Sequence, residues 1–71
     1  MTINEIIKAI RKEVNISQEQ FARELNLSFT TINLWENRKS NPSQMARMRL
    51  VEYCTAKGVP KELIARLERV Q

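Results

Sequence analysis

Apolar positions along this chain recur at helical spacing, and polar capping residues separate one run from the next. Ile3, Ile6, Ile7 and Ile10 fall at i, i+3, i+4 and i+7, one face of a helix. Thr2 and Glu5 stand before and within that run as T-x-x-E. In this capping box each side chain satisfies a backbone N–H of the first turn. The pattern predicts a helix over 3–14, stopped by Asn15 in a left-handed turn. Ser17 and Gln20 form a second box, S-x-x-Q, and Phe21, Ala22 and Leu25 follow on one face, giving a short helix over 18–25. Asn26 falls where a tight turn needs φ > 0, which Asn tolerates better than most residues, and Leu27 is placed to anchor that turn. Ser28 caps a third helix over 29–37. The polar stretch KSNPS is a loop, with Asn41 as N-cap and Pro42 as first residue of a fourth helix over 42–57 that Gly58 ends. Pro60 opens a fifth helix reaching about residue 69. No β-branched alternation predicts a strand, and no repeat is visible. The expectation is an all-α, compact bundle of about five helices.

A chain of 71 residues makes one domain spanning 1–71. Composition narrows its chemistry. The single cysteine, Cys54, has no partner for an internal disulfide, and its bland reading is a small core residue. The chain has no His, which argues against a zinc site, and no Asp, so no acid–base or nucleophile constellation points to an enzyme. No cofactor, metal or small-molecule substrate is implied. The N-terminus lacks a signal-peptide pattern, and no apolar run approaches the ~18 residues a membrane span needs, so a reducing cytoplasm is the expected compartment. Met1 directly before a capped helix suggests a complete small protein. The net charge is +4, and its distribution is more telling than its size. Between residues 37 and 51 lie Arg38, Lys39, Arg47 and Arg49 with no acid, whereas the first and last helices mix both signs.

Two helices of eight or nine residues joined by a three-residue turn define a helix-turn-helix, here over about 17–37. Ala22 is small where the third helix crosses the second, Asn26 suits the turn, and Leu25, Leu27, Ile32 and Trp35 supply apolar locks. The stretch IRKEVNISQEQFARELNLSFTTINLWENRKSNPS, residues 10–43, resembles the phage-repressor and Cro-type (XRE-type) helix-turn-helix family. The resemblance rests on SQEQFA, on Asn26-Leu27-Ser28, on TI in the third helix, and on WEN followed by a basic residue and NPS. It implies a lambda-repressor-like fold that binds double-stranded DNA as a homodimer with the third helix in the major groove, in a bacterial or phage-encoded transcriptional regulator, more often a repressor. It also implies that Gln18, Asn37 and Lys39 contact phosphates, and that Arg11 and Glu36 form a partly buried ion pair from the first helix to the end of the third. Two departures stand out. Arg38 occupies a position where the family usually has Gly, adding a cation and straining the helix end, and the fourth and fifth helices match the family pattern poorly.

At about 100° per residue, Phe29, Thr30, Asn33, Leu34 and Asn37 share one side of the third helix, and Thr31, Ile32 and Trp35 the other. Trp35 and Ile32 are therefore expected in the core. If the outward face reads DNA, Phe29 and Leu34 meet thymine methyls, Asn33 pairs with adenine and Thr30 serves either, which favours A·T-rich contacts. Arg, the usual guanine reader, is absent from this face. Affinity then leans on phosphates, held at the start of the second helix by Ser17 and Gln18 and in the loop by Asn37, Arg38, Lys39 and Ser40. Arg47 and Arg49 are either further contacts or a solvated face.

Leu63, Leu67 and Val70, with Val59 a turn earlier, make a stripe on the fifth helix, and Met45, Met48, Val51 and Cys54 make another on the fourth, with Leu50 and Tyr53 off it. Two apolar faces on one helix suggest that residues 45–70 also supply dimer contacts. Two rival functions use the same fold. One is a protein-interaction module, such as an antitoxin or regulator partner, because exposed Phe29 and Leu34 suit a protein groove. The other is a DNA-targeting accessory subunit of a larger assembly.

Overall fold

The computed structural model describes residues 1–69, and these form five helices: α1 (Ile3–Val14), α2 (Gln18–Leu25), α3 (Phe29–Glu36), α4 (Gln44–Lys57) and α5 (Lys61–Arg69). No strand occurs among the described residues. The Thr2–Glu5 capping box forms in full: the Glu5 amide donates to Thr2 Oγ1 at 3.1 Å and the Thr2 amide donates to Glu5 Oε1 at 2.8 Å. The second expected box forms only by half. Ser17 Oγ accepts from the Gln20 amide at 3.1 Å, but the Gln20 side chain turns along α2 and donates to Glu24 at 2.8 Å.

Four helices end in the same way. In the Schellman turn, two successive amides bond back to the last carbonyls, and the first of the two residues takes a left-handed conformation. After α1 this residue is Asn15 (φ 63°), with the Ile16 amide reaching the Arg11 carbonyl. After α2 it is Asn26 (φ 58°), with Leu27 reaching Ala22 at 2.8 Å. After α4 it is Gly58 (φ 73°), with Val59 reaching Cys54 at 3.0 Å. After α3 it is Arg38 (φ 60°), with Lys39 reaching Leu34 at 2.9 Å. Asn and Gly enter this region at low cost; an arginine pays for the crowding of its Cβ against the backbone. The strain expected at the end of α3 therefore has a definite seat.

Three boundaries differ from expectation. α3 stops at Glu36, because Asn37 (φ −98°, ψ 14°) already leaves the helix to set up the Schellman turn. α4 begins at Gln44 rather than Pro42. Ser43 takes the N-cap, its Oγ accepting from the Ala46 amide at 3.1 Å, while Asn41 is turned toward α1 and Pro42 is buried. α5 begins at Lys61, with the Pro60 carbonyl accepting from Leu63 at 3.0 Å and Ile64 at 3.2 Å, so Pro60 stands just outside the helix.

The core joins Ile3, Ile6, Ile7 and Ile10 of α1, Phe21, Ala22 and Leu25 of α2, and Ile32 and Trp35 of α3 with Leu50, Cys54, Val59 and Leu67. α5 packs on α4 and α1, with Leu67 buried and Leu63 half-buried; Val70 lies outside the described residues. The expected α4 stripe divides. Cys54 is fully buried and Val51 half-buried, but Met45 and Met48 are 74 % and 59 % exposed. Leu50, expected off the stripe, is the other buried anchor of α4. Burial pushes the Cys54 thiol up to about 11, so it behaves as a small apolar side chain.

α2 and α4 are fastened around Glu24. Its carboxylate accepts from Gln20 at 2.8 Å and from the Tyr53 hydroxyl at 2.6 Å, and Lys57 Nζ stands 3.3 Å away. The Tyr53 ring packs on Phe21 at 5.5 Å between centroids. The Gln20 bond first, then the Tyr53 bond, holds Glu24 at about 2, against an ordinary 4.5. Because the folded value is depressed, this stabilisation is complete above the unfolded value and disappears as pH falls through the folded one. Urea midpoints should therefore decline between about pH 4.5 and about pH 2, and Glu24→Gln should flatten that part of the profile.

Candidate nucleic-acid interface

The α2–α3 pair presents a face built around one buried carboxylate. Glu36 closes α3 with a side chain only 2 % exposed. Arg11 of α1 grips it with two bonds, Nε to Oε2 at 2.7 Å and Nη2 to Oε1 at 3.0 Å, and its Nη1 donates to the Ile16 carbonyl at 2.9 Å. This is the ion pair expected from residues 11 and 36. Gln18 joins it, Nε2 donating to Glu36 Oε1 at 3.0 Å. Asn33 Nδ2 then donates to Gln18 Oε1 at 3.1 Å. The chain Arg11–Glu36–Gln18–Asn33 links three helices and ends at the outward side of α3. The 2.7 Å length of the Nε bond and the paired fork mark the Arg11 bonds as charge-assisted. Removing one partner would strand a buried charge, which costs about 3–5 kcal/mol in comparable sites.

Gln18 and Asn33 are thus braced against each other. An amide carries two N–H groups and a carbonyl with two lone pairs, so Asn33 keeps a hydrogen and its carbonyl for an outside partner. Phe29 and Leu34 flank it, 50 % and 38 % exposed, and Thr30 is exposed. Ile32 and Trp35 point inward and are buried, and Thr31 is half-buried with its Oγ1 2.9 Å from the Ser28 hydroxyl. The two sides of α3 therefore divide as the helical angles predict.

Two helix starts are relevant to an anion: that of α2, joined to this face through Gln18 and Asn33, and that of α4, which follows the connecting loop. Ser17 at α2 and Ser43 at α4 each engage the third amide of the helix, which leaves the earlier amides and the positive end of the dipole open to an anion. Glu19, the acid nearest the first of these, leans along α2 to Arg23 at 3.2 Å. Asn37, Arg38, Lys39 and Ser40 are all exposed in the connecting loop. Lys39 has no acidic partner among the described residues, whereas Arg38 Nη2 stands 3.4 Å from Glu5 Oε2.

The loop's shape depends on a residue that sequence reasoning passed over. Asn4 is buried at 7 % exposure, and its Nδ2 lies 2.6 Å from the Trp35 carbonyl, 3.1 Å from the Ser40 carbonyl and 3.2 Å from Asn41 Oδ1. It ties the first turn of α1 to the end of α3 and to the loop beyond. The available signal was a polar residue at the edge of an isoleucine stripe. The basic run of residues 37–51 also divides by role. Arg49 donates to the Leu25 carbonyl at 2.6 Å, closing the C-terminal end of α2, so it is a structural cap. Arg47 is half-buried on α4, beside Met48 and Glu52.

Short helices α2 and α3, the Asn26 turn and an outward-facing second helix define the helix-turn-helix class of domain. Comparison with protein families matches residues 7–54 to the Helix-turn-helix family. The chain belongs to this family, of the XRE type that includes phage repressors and Cro, a family of DNA-binding regulators. The match extends beyond residues 10–43 to take in most of α4. Neither the curated proteins nor the solved structures contain a match to the chain.

The left-handed Arg38 separates fold from surface chemistry. Arg38→Gly should raise stability by about 1 kcal/mol, because Gly occupies this turn without the Cβ penalty. A rise in the thermal midpoint checks it; an unchanged or lowered midpoint would show that Arg38 is unstrained.

Proposed function

We propose that the protein is a sequence-specific regulator, a repressor, that binds double-stranded DNA as a homodimer with α3 in the major groove. The observation that carries this reading is the exposed α3 face, with the α2 start joined to it through Gln18 and the Arg38–Lys39 loop following it. On this reading Phe29 and Leu34 contact thymine methyls, Asn33 pairs with adenine and Thr30 adapts to either base. Ser17, Gln18, Asn37, Arg38, Lys39 and Ser40 form the row that grips phosphates. The brace from Gln18 to Asn33 supports it physically, since one phosphate contact and one base contact then fix each other's position. Repression needs no more than occupancy of a promoter. Such a protein works in the cytoplasm of a bacterium, on the host's DNA or a phage's.

Met45 and Met48 support the dimer. They project from α4 beside half-buried Val51, and no other part of the described chain covers them. A second copy of the same face would bury apolar on apolar about a twofold axis, which is the symmetry of a palindromic site. The alternative reading, a protein-binding module on the same fold, draws on the exposure of Phe29 and Leu34.

Random-sequence duplex should shift the wild-type protein at low salt, and Lys39→Glu should abolish the shift. Two loop cations from each of two protomers give a log–log salt slope of up to about −3.6, or a loss on the order of 100-fold between about 50 and about 200 mM salt. Salt-independent binding would defeat the phosphate row, and no binding at all would favour the protein-partner reading. Selection from random DNA should return A·T pairs under α3; a G·C-led consensus there would overturn the base assignments. Sedimentation should show a dimer on a palindromic duplex and half that stoichiometry for Met48→Glu. A strict monomer, free and on DNA, would remove the dimer.

A further inference from the structure

Arg38 lies in the phosphate row yet already faces an acid. Its Nη2 is 3.4 Å from Glu5 Oε2, with the two side chains 61 % and 49 % exposed. Neither group arrives there by free rotation alone. The left-handed backbone of Arg38 (φ 60°) sets the direction in which its side chain departs. Glu5 is fixed from the other side, because Oε1 accepts the Thr2 amide at 2.8 Å as half of the capping box. The neighbouring Asn4 holds the same loop through Ser40 and Asn41. The first turn of α1 is thereby clamped to the loop that carries Arg38 and Lys39, and it presents one carboxylate oxygen to one of the two cations.

We propose that Glu5 is an intramolecular competitor of the DNA phosphate: its carboxylate occupies the Arg38 guanidinium in the free protein, and DNA binding exchanges the one for the other. The proposal rests on the DNA-binding reading above. A phosphate oxygen can take the place of the single Glu5 oxygen that faces the guanidinium at 3.4 Å, charge for charge, and a second phosphate oxygen can complete the planar fork that Glu5 leaves half filled. An exposed pair of this kind adds little to folding. Its effect falls on binding, where it cancels the field of one loop cation toward any duplex. Lys39, with no acid beside it among the described residues, keeps its full attraction. Glu5 therefore lowers the sequence-independent part of the affinity, which comes from charge, and leaves the base contacts of α3 with a larger share of recognition. The acid is also kept ionised: the Thr2 backbone bond, ahead of the Thr2 hydroxyl and Arg38, holds Glu5 below the usual carboxylate range.

Glu5→Gln tests this without removing the cap, since Gln serves the same capping position. Anisotropy titrations of a labelled random-sequence duplex at low salt would compare wild type, E5Q, R38Q and the double variant, each checked for folding by its thermal melt. E5Q should bind about 5-fold tighter than wild type, and its salt slope should approach the full value of about −3.6, from which wild type falls short by up to about 0.9 per protomer. In the R38Q background the same change should alter affinity by less than about 2-fold, because the competed cation is gone. Glu5→Asp, which keeps the charge but withdraws it by one methylene, should fall between wild type and E5Q, and it decides the matter if E5Q melts early. Equal tightening by E5Q with and without Arg38 would reduce the effect to net charge and overturn the proposal. So would unchanged affinity in E5Q. If the wild type itself fails to bind duplex and Lys39→Glu changes nothing, the DNA-binding reading falls, and the proposal with it.

Discussion

The orientation of Gln18 and Asn33 at the proposed recognition face depends on the Glu36 carboxylate. Among the described residues it is the one place where α1, α2 and α3 are joined by polar bonds: Arg11 from the first, Gln18 from the second, and Glu36 itself from the third. The apolar core can hold three short helices together, but burial energy is non-directional and tolerates small rotations and slides. A forked guanidinium on a buried carboxylate does not. Its two bonds fix distance and plane together, and Gln18 carries that precision on to Asn33. An ion pair of this type is weak evidence for stability, since apolar residues could fill the space as well. Its contribution here is orientation.

The helix ends supply a second constraint, independent of the first. Four Schellman turns close α1, α2, α3 and α4, each with its left-handed residue. Three of the second amides belong to Ile16, Leu27 and Val59, apolar residues that pack on or into the core. The fourth belongs to Lys39, which is exposed. The same backbone device thus serves packing three times and surface charge once. At that one place the left-handed residue is also an arginine. Backbone geometry and cation placement are in tension there, and Asn4 stands beneath as the clamp that holds the segment in place.

Much of this was legible in the sequence, and for physical reasons. Capping residues and isoleucine spacing act locally, so the limits of α1 and α2 followed from a few neighbouring side chains. The Arg11–Glu36 pair was reachable because the family resemblance connected two distant positions. What could not be read were choices between competing partners. Asn41 was a good N-cap by type, but Asn4 claimed it, and Ser43 took the cap. Gln20 was placed to complete a box, but Glu24 and Arg23 offered its amide better company. Arg49 belonged to a basic run yet closes α2 through the Leu25 carbonyl. Each of these outcomes was settled by a contact across the fold, and spacing along the chain holds no record of such a contact. The division of the α4 stripe has the same origin: helical angle gives the relative directions of Met45, Met48 and Cys54, and only packing says which one faces inward.

The outward residues of α3 have an unusual freedom. Phe29 and Thr30 are exposed, and no side-chain bond ties either of them to the fold among the described residues. The duties of α3 toward the bundle fall to Ile32, Trp35 and Glu36, on the far side and at the end. Substitutions at 29 and 30 can therefore accumulate with little threat to folding. Where, as proposed, this face meets the partner, such a domain can drift from one binding preference to another by single steps while every intermediate remains folded, so its ancestry is better preserved inside the bundle than on its outer surface.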